Sequence, residues 1–439
     1  MISGQSILRR ACVLGAAWAV TACVPQMPTM PWTDDPEVSR SAAPFATDTT
    51  AALDPAMEDG TSSDIVTSLL SRRSVLTDGP YARVADAVLA ANARAAESEL
   101  RAASLRAEAR ATNWLPTLGP TVSLTSLGNV VSSLVLDAVL FDNGRRRAER
   151  DYARADVEVA AVLLAEDSNQ RVRQGLDLYL TAQKAQAQAQ VNQGAMAQME
   201  RYAFVMKERV RGGVSSRVEA DIVNQKLNQL RAEMASDRET AASAMAELSA
   251  MSAAPLDGIE GTSRMTAEYT ATPLPVLRAE AEASRAVAEA AAARAGLLPG
   301  LTASVNQSGD AGATFGGAGL GLGTGASMRA AQETERSAAA RVDQAGEDAD
   351  RRLRALQGQL ASLQRQAERS QVLAVQAARN FETYAQQQRE GQRGVADVVT
   401  IFETRLRAER EAAGLRYDVA RVAVEIAALR GVLVDGDKI

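Results

Sequence analysis

The sequence predicts a mainly α-helical protein with a small β part, built from two copies of one unit in which a β-hairpin feeds a very long helical hairpin. Three observations carry this reading. Gly213-Val214-Ser215-Ser216-Arg217-Val218-Glu219 and Gly391-Gln392-Arg393-Gly394-Val395-Ala396-Asp397 interrupt long helical patterns at one separation (391 − 213 = 178; 397 − 219 = 178). Trp114-Leu115-Pro116-Thr117-Leu118 and Leu297-Leu298-Pro299-Gly300-Leu301 repeat in the same order, offset by 299 − 116 = 183. Two markers at nearly one offset indicate an internal duplication, with a period far too long for a solenoid. Third, no proline occurs between Pro120 and Pro255 or after Pro299, leaving room for helices of unusual length.

The chain opens with an address. Arg9 and Arg10 precede a short apolar run, Ala11 to Val20, too short to span a bilayer as a helix. The run ends in Val20-Thr21-Ala22-Cys23, which resembles a bacterial lipoprotein processing box, so residues 1–22 read as a signal peptide and Cys23 as the site of lipid attachment. Val24 follows rather than aspartate, which points to sorting towards the outer membrane. Cys12 lies in the removed segment, so an intramolecular disulfide is excluded. Removing 1–22, which hold two arginines and no acid, takes the formal charge from −6 to −6 − 2 = −8, which gives no support for nucleic-acid binding. Aromatics are 4% of residues and histidine is absent, a composition suited to long helices packed through small side chains.

Residues 23–79, rich in Pro, Ser, Thr and Asp, read as a mostly irregular tether and collar. A first repeat follows over 80–255, a linker over 256–272 and a second repeat over 273–439. The first repeat should start with one helix from Tyr81 to Asn113, capped by Asp78 with Pro80 in its first turn. Between Pro120 and Phe141 the period becomes two: Leu134, Leu136, Ala138 and Leu140 alternate with Ser133, Val135, Asp137 and Val139, with Gly128-Asn129 as the turn. Strands of about 10 residues suit a tilted membrane strand. The second copy places one strand at Leu301–Asn306 and another within Gly309–Gly325, and only Trp114, Phe141 and Phe315 offer an aromatic girdle. From Asn143 to about Arg211 a single helix is expected, about 100 Å long. The return helix carries a seam of Val223, Leu227, Leu230, Met234, Ala241, Ala244, Leu248 and Met251, with Asp237 as its polar break. Leu415, Val419, Val422, Ile426, Leu429 and Leu433 form the second seam.

This order of elements, with the two Leu-Pro dipeptides, Leu140-Phe141-Asp142-Asn143-Gly144 and the two glycine tips with their acids, resembles the TolC-like outer-membrane factors, lipoprotein type. The resemblance implies a homotrimer in the outer membrane. Each protomer would give four strands to a 12-stranded β-barrel, and its coiled-coil hairpins would form a periplasmic α-barrel. It further implies a passive exit duct of a tripartite efflux system, working with a periplasmic adaptor and an inner-membrane pump or ABC transporter. A duct for type I protein or polysaccharide secretion shares that architecture, and a lipid-anchored coiled-coil scaffold without a lumen is a third alternative.

The simplest reading of Gly212, Gly213, Gly391 and Gly394 is as helix caps, since glycine reaches left-handed angles without steric cost. The resemblance makes these tips, with Ser215, the adaptor-contacting surface. It also makes Asp397 a carboxylate repeated round the threefold axis at a periplasmic gate. Thr400 stands where the family often has a second acid. Arg393 matches a family arginine that ties the inner coiled coil to its neighbour, with Glu219 as the expected partner, and the tyrosine of that lock is replaced by Gln388 and Val210. No cofactor beyond the lipid on Cys23, no metal and no catalytic group is expected. Gly321-Leu322-Gly323-Thr324-Gly325-Ala326 lacks the βαβ setting of a dinucleotide loop, and the serines have no histidine to activate them.

Overall fold

The computed structural model describes residues 63–438 except 77, 92–94, 125–129, 257, 266–269 and 318–320. The leader, Cys23, the tether up to residue 62 and the Gly128-Asn129 turn lie outside the described residues. Three helices come first: α1 (Asp64–Leu70), α2 (Pro80–Ala90) and α3 (Ala95–Ala111). Strands β1 (Thr117–Leu124) and β2 (Val130–Phe141) lead into α4 (Arg145–Arg211), which returns as α5 (Arg217–Ala250). The same order then recurs as α6 (Leu274–Gly296), β3 (Gly300–Asn306), β4 (Ala311–Gly316), α7 (Thr324–Arg389) and α8 (Val395–Leu429).

The long helices have the expected scale: α4 is 67 residues and α7 is 66, each about 100 Å at 1.5 Å per residue. Alanine makes this packing possible. Ala160, Ala161, Ala165, Ala182 and Ala185 are all buried on α4, where larger side chains would hold the neighbouring helices apart. Gly175 of α4 lets α2 come close, because a Cβ there would meet Val88 Cγ2 at 2.8 Å.

Several expected boundaries move. The last part of the 23–79 segment is not irregular: Ser63 caps α1 by accepting from Val66 N–H at 3.3 Å, and its hydroxyl donates to Glu158 at 2.6 Å. The single helix from Tyr81 to Asn113 is two helices, since Ala91 leaves helical geometry (ψ 84°), and its N-cap is Gly79 rather than Asp78. The last strand stops at Gly316, well short of Gly325, and α7 is already helical at Thr324, whose Oγ1 accepts from Gly321 N–H at 2.9 Å. The α8 seam also ends early, at Leu429, with Leu433 buried beyond the helix. Its upper part buries two faces: Val422 and Ile426 against Leu353 and Leu356 of α7, and Tyr417 and Val424 in the core shared with α2 and α4.

The four strands form one antiparallel sheet in the order β1-β2-β3-β4. The two copies meet where β2 pairs with β3, with a bulge between Val139 and Phe141. Pro120, which has no N–H to give a ladder, is accommodated because β1 is an edge strand. The ends of the described body are stitched together. Val75 N–H donates to Val432 O at 2.9 Å, and Gly436 N–H donates to Arg72 O at 3.0 Å. The buried Arg72 guanidinium, its pKa lowered to about 10 by burial, donates to Arg430 O at 2.6 Å and Thr272 O at 2.8 Å.

Candidate functional site

At the far end of the helices both hairpins reverse by the same device. Gly213 N–H donates to Val210 O at 3.1 Å and Val214 N–H to Arg209 O at 2.9 Å. Gly391 N–H donates to Gln388 O at 3.1 Å and Gln392 N–H to Gln387 O at 2.9 Å. Both are Schellman turns, with Gly213 at φ 73° and Gly391 at φ 81°. Those two glycines need the left-handed region. Gly212 (φ −80°) and Gly394 (φ −73°) do not, which corrects the expectation for all four.

The helices leaving the tips are started differently. Ser216 and Glu219 form a reciprocal capping box on α5: Glu219 N–H donates to Ser216 Oγ at 3.2 Å, and Ser216 N–H donates to Glu219 Oε2 at 3.3 Å. The aligned position on α8 is Gly394 (394 − 216 = 178), which offers no side-chain cap. Its acid, Asp397, is exposed in the first turn, where the positive end of the helix favours it. Thr400 Oγ1 donates to Ala396 O at 3.1 Å within its own helix.

Within the chain Arg393 does not pair with Glu219, whose carboxylate is engaged by the capping box. The Arg393 guanidinium lies 4.9 Å over the ring of Tyr384, and its Nε donates to Gln387 Oε1 at 3.2 Å. Tyr384 lies one turn of α7 before Gln388, the position at which the resemblance led a tyrosine to be expected. The aligned contact at the first tip runs the other way: Arg209 Nε donates to Ser215 Oγ at 3.0 Å.

Above the tips the two hairpins are joined in two stages. Phe402 of α8 sits edge-on to Tyr202 of α4 (6.2 Å) and Phe381 of α7 (5.3 Å), in a core completed by Met199, Met206 and Val223. Beyond it, a ladder of charges on α8 faces the first hairpin. Glu403 pairs with Lys226 (3.2 Å), Arg410 with Asp237 (2.6 Å), Asp418 with Lys184 (2.8 Å) and Arg421 with Asp177 (2.6 Å). Asp237, the polar break in the α5 seam, is thus the acceptor for a guanidinium reaching across from α8, and Asn192 of α4 donates to it at 3.4 Å.

At the other end the sheet has two chemically distinct faces. Directly paired residues share a face, so the register sorts them. One face holds Leu118, Leu136, Val305 and Ala311 in a row, then Ala138, Ala303 and Ala313, then Phe141, Leu301 and Phe315. The other is mixed but more polar, with Gly119, Val135 and Asn306 in one row, then Thr117, Asp137, Ser304 and Gly312, then Val139, Thr302 and Thr314. The apolar face is open: Leu118 is 65% exposed, Leu134 45%, Leu136 42% and Phe315 71%. The aromatics are few, but Phe141 and Phe315 stand in one row at the helical end, with Trp114 just before β1. Among the described residues no helix is long and apolar enough to cross a membrane.

The turn from sheet to helix explains the Leu-Phe-Asp-Asn-Gly segment. Asn143 (φ 55°) and Gly144 (φ 83°) bend the chain left-handedly. Asp142 accepts from Gly144 N–H at 3.1 Å and Arg146 N–H at 2.9 Å, and Asn143 Nδ2 donates to Pro299 O of the second Leu-Pro at 2.9 Å.

No protein-family model and no curated protein matches the sequence. Solved structures do. A membrane protein from Pseudomonas aeruginosa superposes with a TM-score of 0.72 at 16% identity, over 83% of this chain and 92% of its own. The CmeC outer membrane channel of Campylobacter jejuni gives 0.68 at 12% identity (86% and 91%), and the outer membrane protein VceC of Vibrio cholerae gives 0.63 at 14% (84% and 95%). At such identities the likeness is one of fold: this chain has the fold expected of TolC-like outer-membrane factors.

Proposed function

We propose that the chain is the protomer of an outer-membrane exit duct, a homotrimer anchored by lipid on Cys23 and passing small molecules out of the cell. The observation that carries this is the four-stranded sheet. Its open apolar face suits lipid, its opposite face is the more polar one, with Asp137 and several Thr and Ser, and its two outer strands offer edges to further copies. A single open sheet cannot sit in a bilayer with unpaired edges, so closure by copies of the same chain is required, and three would give twelve strands. The helices, about 100 Å long, supply the reach to cross a periplasm.

In this reading the polar face lines the pore, and the tips meet a periplasmic adaptor coupled to an inner-membrane pump that supplies the energy. Three copies of Asp397 around the axis would focus a negative potential at the gate and favour cations. The lipoprotein-type leader favours efflux over protein secretion. The test is electron microscopy of the detergent-extracted, lipidated protein, with conductance measured in planar bilayers. A hollow threefold tube of roughly 100 Å that conducts ions supports the duct. A solid rod or a monomer that never conducts removes it and leaves the scaffold.

A further inference from the structure

We propose that the arginine cluster where the sheet joins α4 is a docking surface for anionic phospholipid headgroups, in the leaflet that borders the helical end of the sheet. The proposal rests on the outer-membrane reading above, and three observations point to it. The first is position. Phe141 closes the apolar face in the aromatic row, and four residues later α4 opens with Arg145, Arg146 and Arg147. A cluster directly below an apolar band lies at headgroup level.

The second is helix electrostatics. The N-terminal turn of a helix favours acids, yet the first turn of α4 contains none and carries three guanidiniums. Asp142, just ahead, is occupied by backbone N–H groups. Within the helix only Arg145 is answered, by Glu149 one turn on, and an external anion would answer Arg146 and Arg147.

The third is the shortage of carboxylates. Glu149 is shared by Arg110 (3.1 Å) and Arg145 (3.0 Å), and Asp156 by Arg106 (3.4 Å) and Arg285 (3.1 Å). Arg150 donates to the neutral Asn113 Oδ1 at 3.0 Å, and Arg146 and Arg147 form no ion pair among the described residues, although the exposed Asp151 stands one turn on from Arg147. Over residues 106–110 and 142–156 there are seven arginines and five acids (7 − 5 = +2), in a chain whose formal charge is −6. Guanidinium forks match phosphate oxygens two at a time, and the sheet already brings these residues to the bilayer surface.

The test uses the full-length trimer in detergent, equilibrated with an equal mixture of phosphatidylglycerol and phosphatidylethanolamine, with retained lipids counted by native mass spectrometry. The wild type should enrich phosphatidylglycerol. Arg145→Gln, Arg146→Gln and Arg147→Gln together should abolish the enrichment, each weakening it about fivefold. Should the triple variant not assemble, Arg147→Gln alone carries the same expectation for one step. Arg351→Gln on α7, remote from the sheet, should change nothing. No enrichment in the wild type, or undiminished enrichment in the variants, overturns the proposal. Conductance of the same samples separates it from its premise. Channels without lipid preference sink only this inference, and silent protein sinks the duct.

Discussion

Asp237→Ala should loosen the middle of the molecule without touching its tips. Asp237 and Arg410 are only 15% and 19% exposed at the side chain, and they meet at 2.6 Å and 3.3 Å through two guanidinium nitrogens. At an effective dielectric of about 20, charge centres about 4 Å apart attract by about 4 kcal/mol, most of which offsets the cost of withdrawing both from water. Removing one partner strands the other. For fully buried pairs that costs about 3–5 kcal/mol, and partial exposure here, with the remaining Arg410 bond to Gln188 O (3.3 Å), lowers it to about 2 kcal/mol. The assay is hydrogen exchange read by mass spectrometry on peptides around 237 in α5 and 410 in α8. Since about 1.4 kcal/mol is tenfold in an opening equilibrium, exchange there should quicken by about 30-fold, while peptides over the Phe402 cluster keep their rates. Asp237→Leu with Arg410→Met should recover most of the protection, because an apolar pair leaves no buried charge. Unchanged exchange in Asp237→Ala would refute the reasoning and reduce the ladder to surface decoration.

The remaining predictions concern the tips, the sheet and one half-buried carboxyl. Ser216→Ala should cost about 1 kcal/mol of local stability at the start of α5, whereas Gly394→Ser should add a few tenths to α8, both read by exchange of the tip peptides. The new Cβ in Gly394→Ser meets Asp397 Oδ2 at an ordinary 3.5 Å. Leu136→Arg should destabilise membrane insertion by about 2–4 kcal/mol, and Thr302→Arg on the opposite face by far less, measured as folded yield in vesicles. Burial raises the pKa of Glu166, outweighing the opposing pull of Arg278, so the folded state holds that proton more tightly than the unfolded chain. Its contribution is therefore present below the ordinary carboxylate range and lost as pH rises through the folded value. Glu166→Gln should accordingly melt higher than wild type at pH 7 and match it in acid. Arg393→Ala should raise leak conductance, because it removes the cation over Tyr384; unchanged conductance would exclude a lock at that residue.

The duplication, the long helices and the alternating strands were legible in the sequence because each is local. Proline spacing, period two between Leu134 and Leu140, and a fixed offset of 178 between the tips (391 − 213) need no knowledge of packing. What could not be read is where a partner lies far away in the chain. Arg410 is 173 residues from Asp237, so the polar break at 237 signalled only that something must pair with it. The break at Ala91 is held by long-range contacts: Arg171 donates to Val88 O and Ala91 O from α4, and Ala253 N–H donates to Ala87 O. Tyr384 could have been suspected, since aromatics are 4% of residues and this one lies nine positions before an arginine at a tip (393 − 384 = 9).

The two copies diverge most usefully where their alignment is tightest. At the first tip, serine caps α5 and glutamate answers it, so both partners are used up within the turn. At the second, glycine replaces the serine, and the acid is left exposed with no ion pair among the described residues. The same substitution thus has two effects: it withdraws roughly a few tenths of a kcal/mol of capping from α8, and it leaves Asp397 exposed at the tip. A tip meant only to reverse a helix would gain from keeping the serine. Loss of the cap in the copy that carries Arg393 over Tyr384 is the arrangement expected if the second hairpin moves and the first holds still. The capping and conductance variants above address the two halves of that argument separately. If Gly394→Ser stabilises α8 and also lowers leak conductance, stability and gating share one residue; if it stabilises α8 and leaves conductance unchanged, the moving part lies elsewhere.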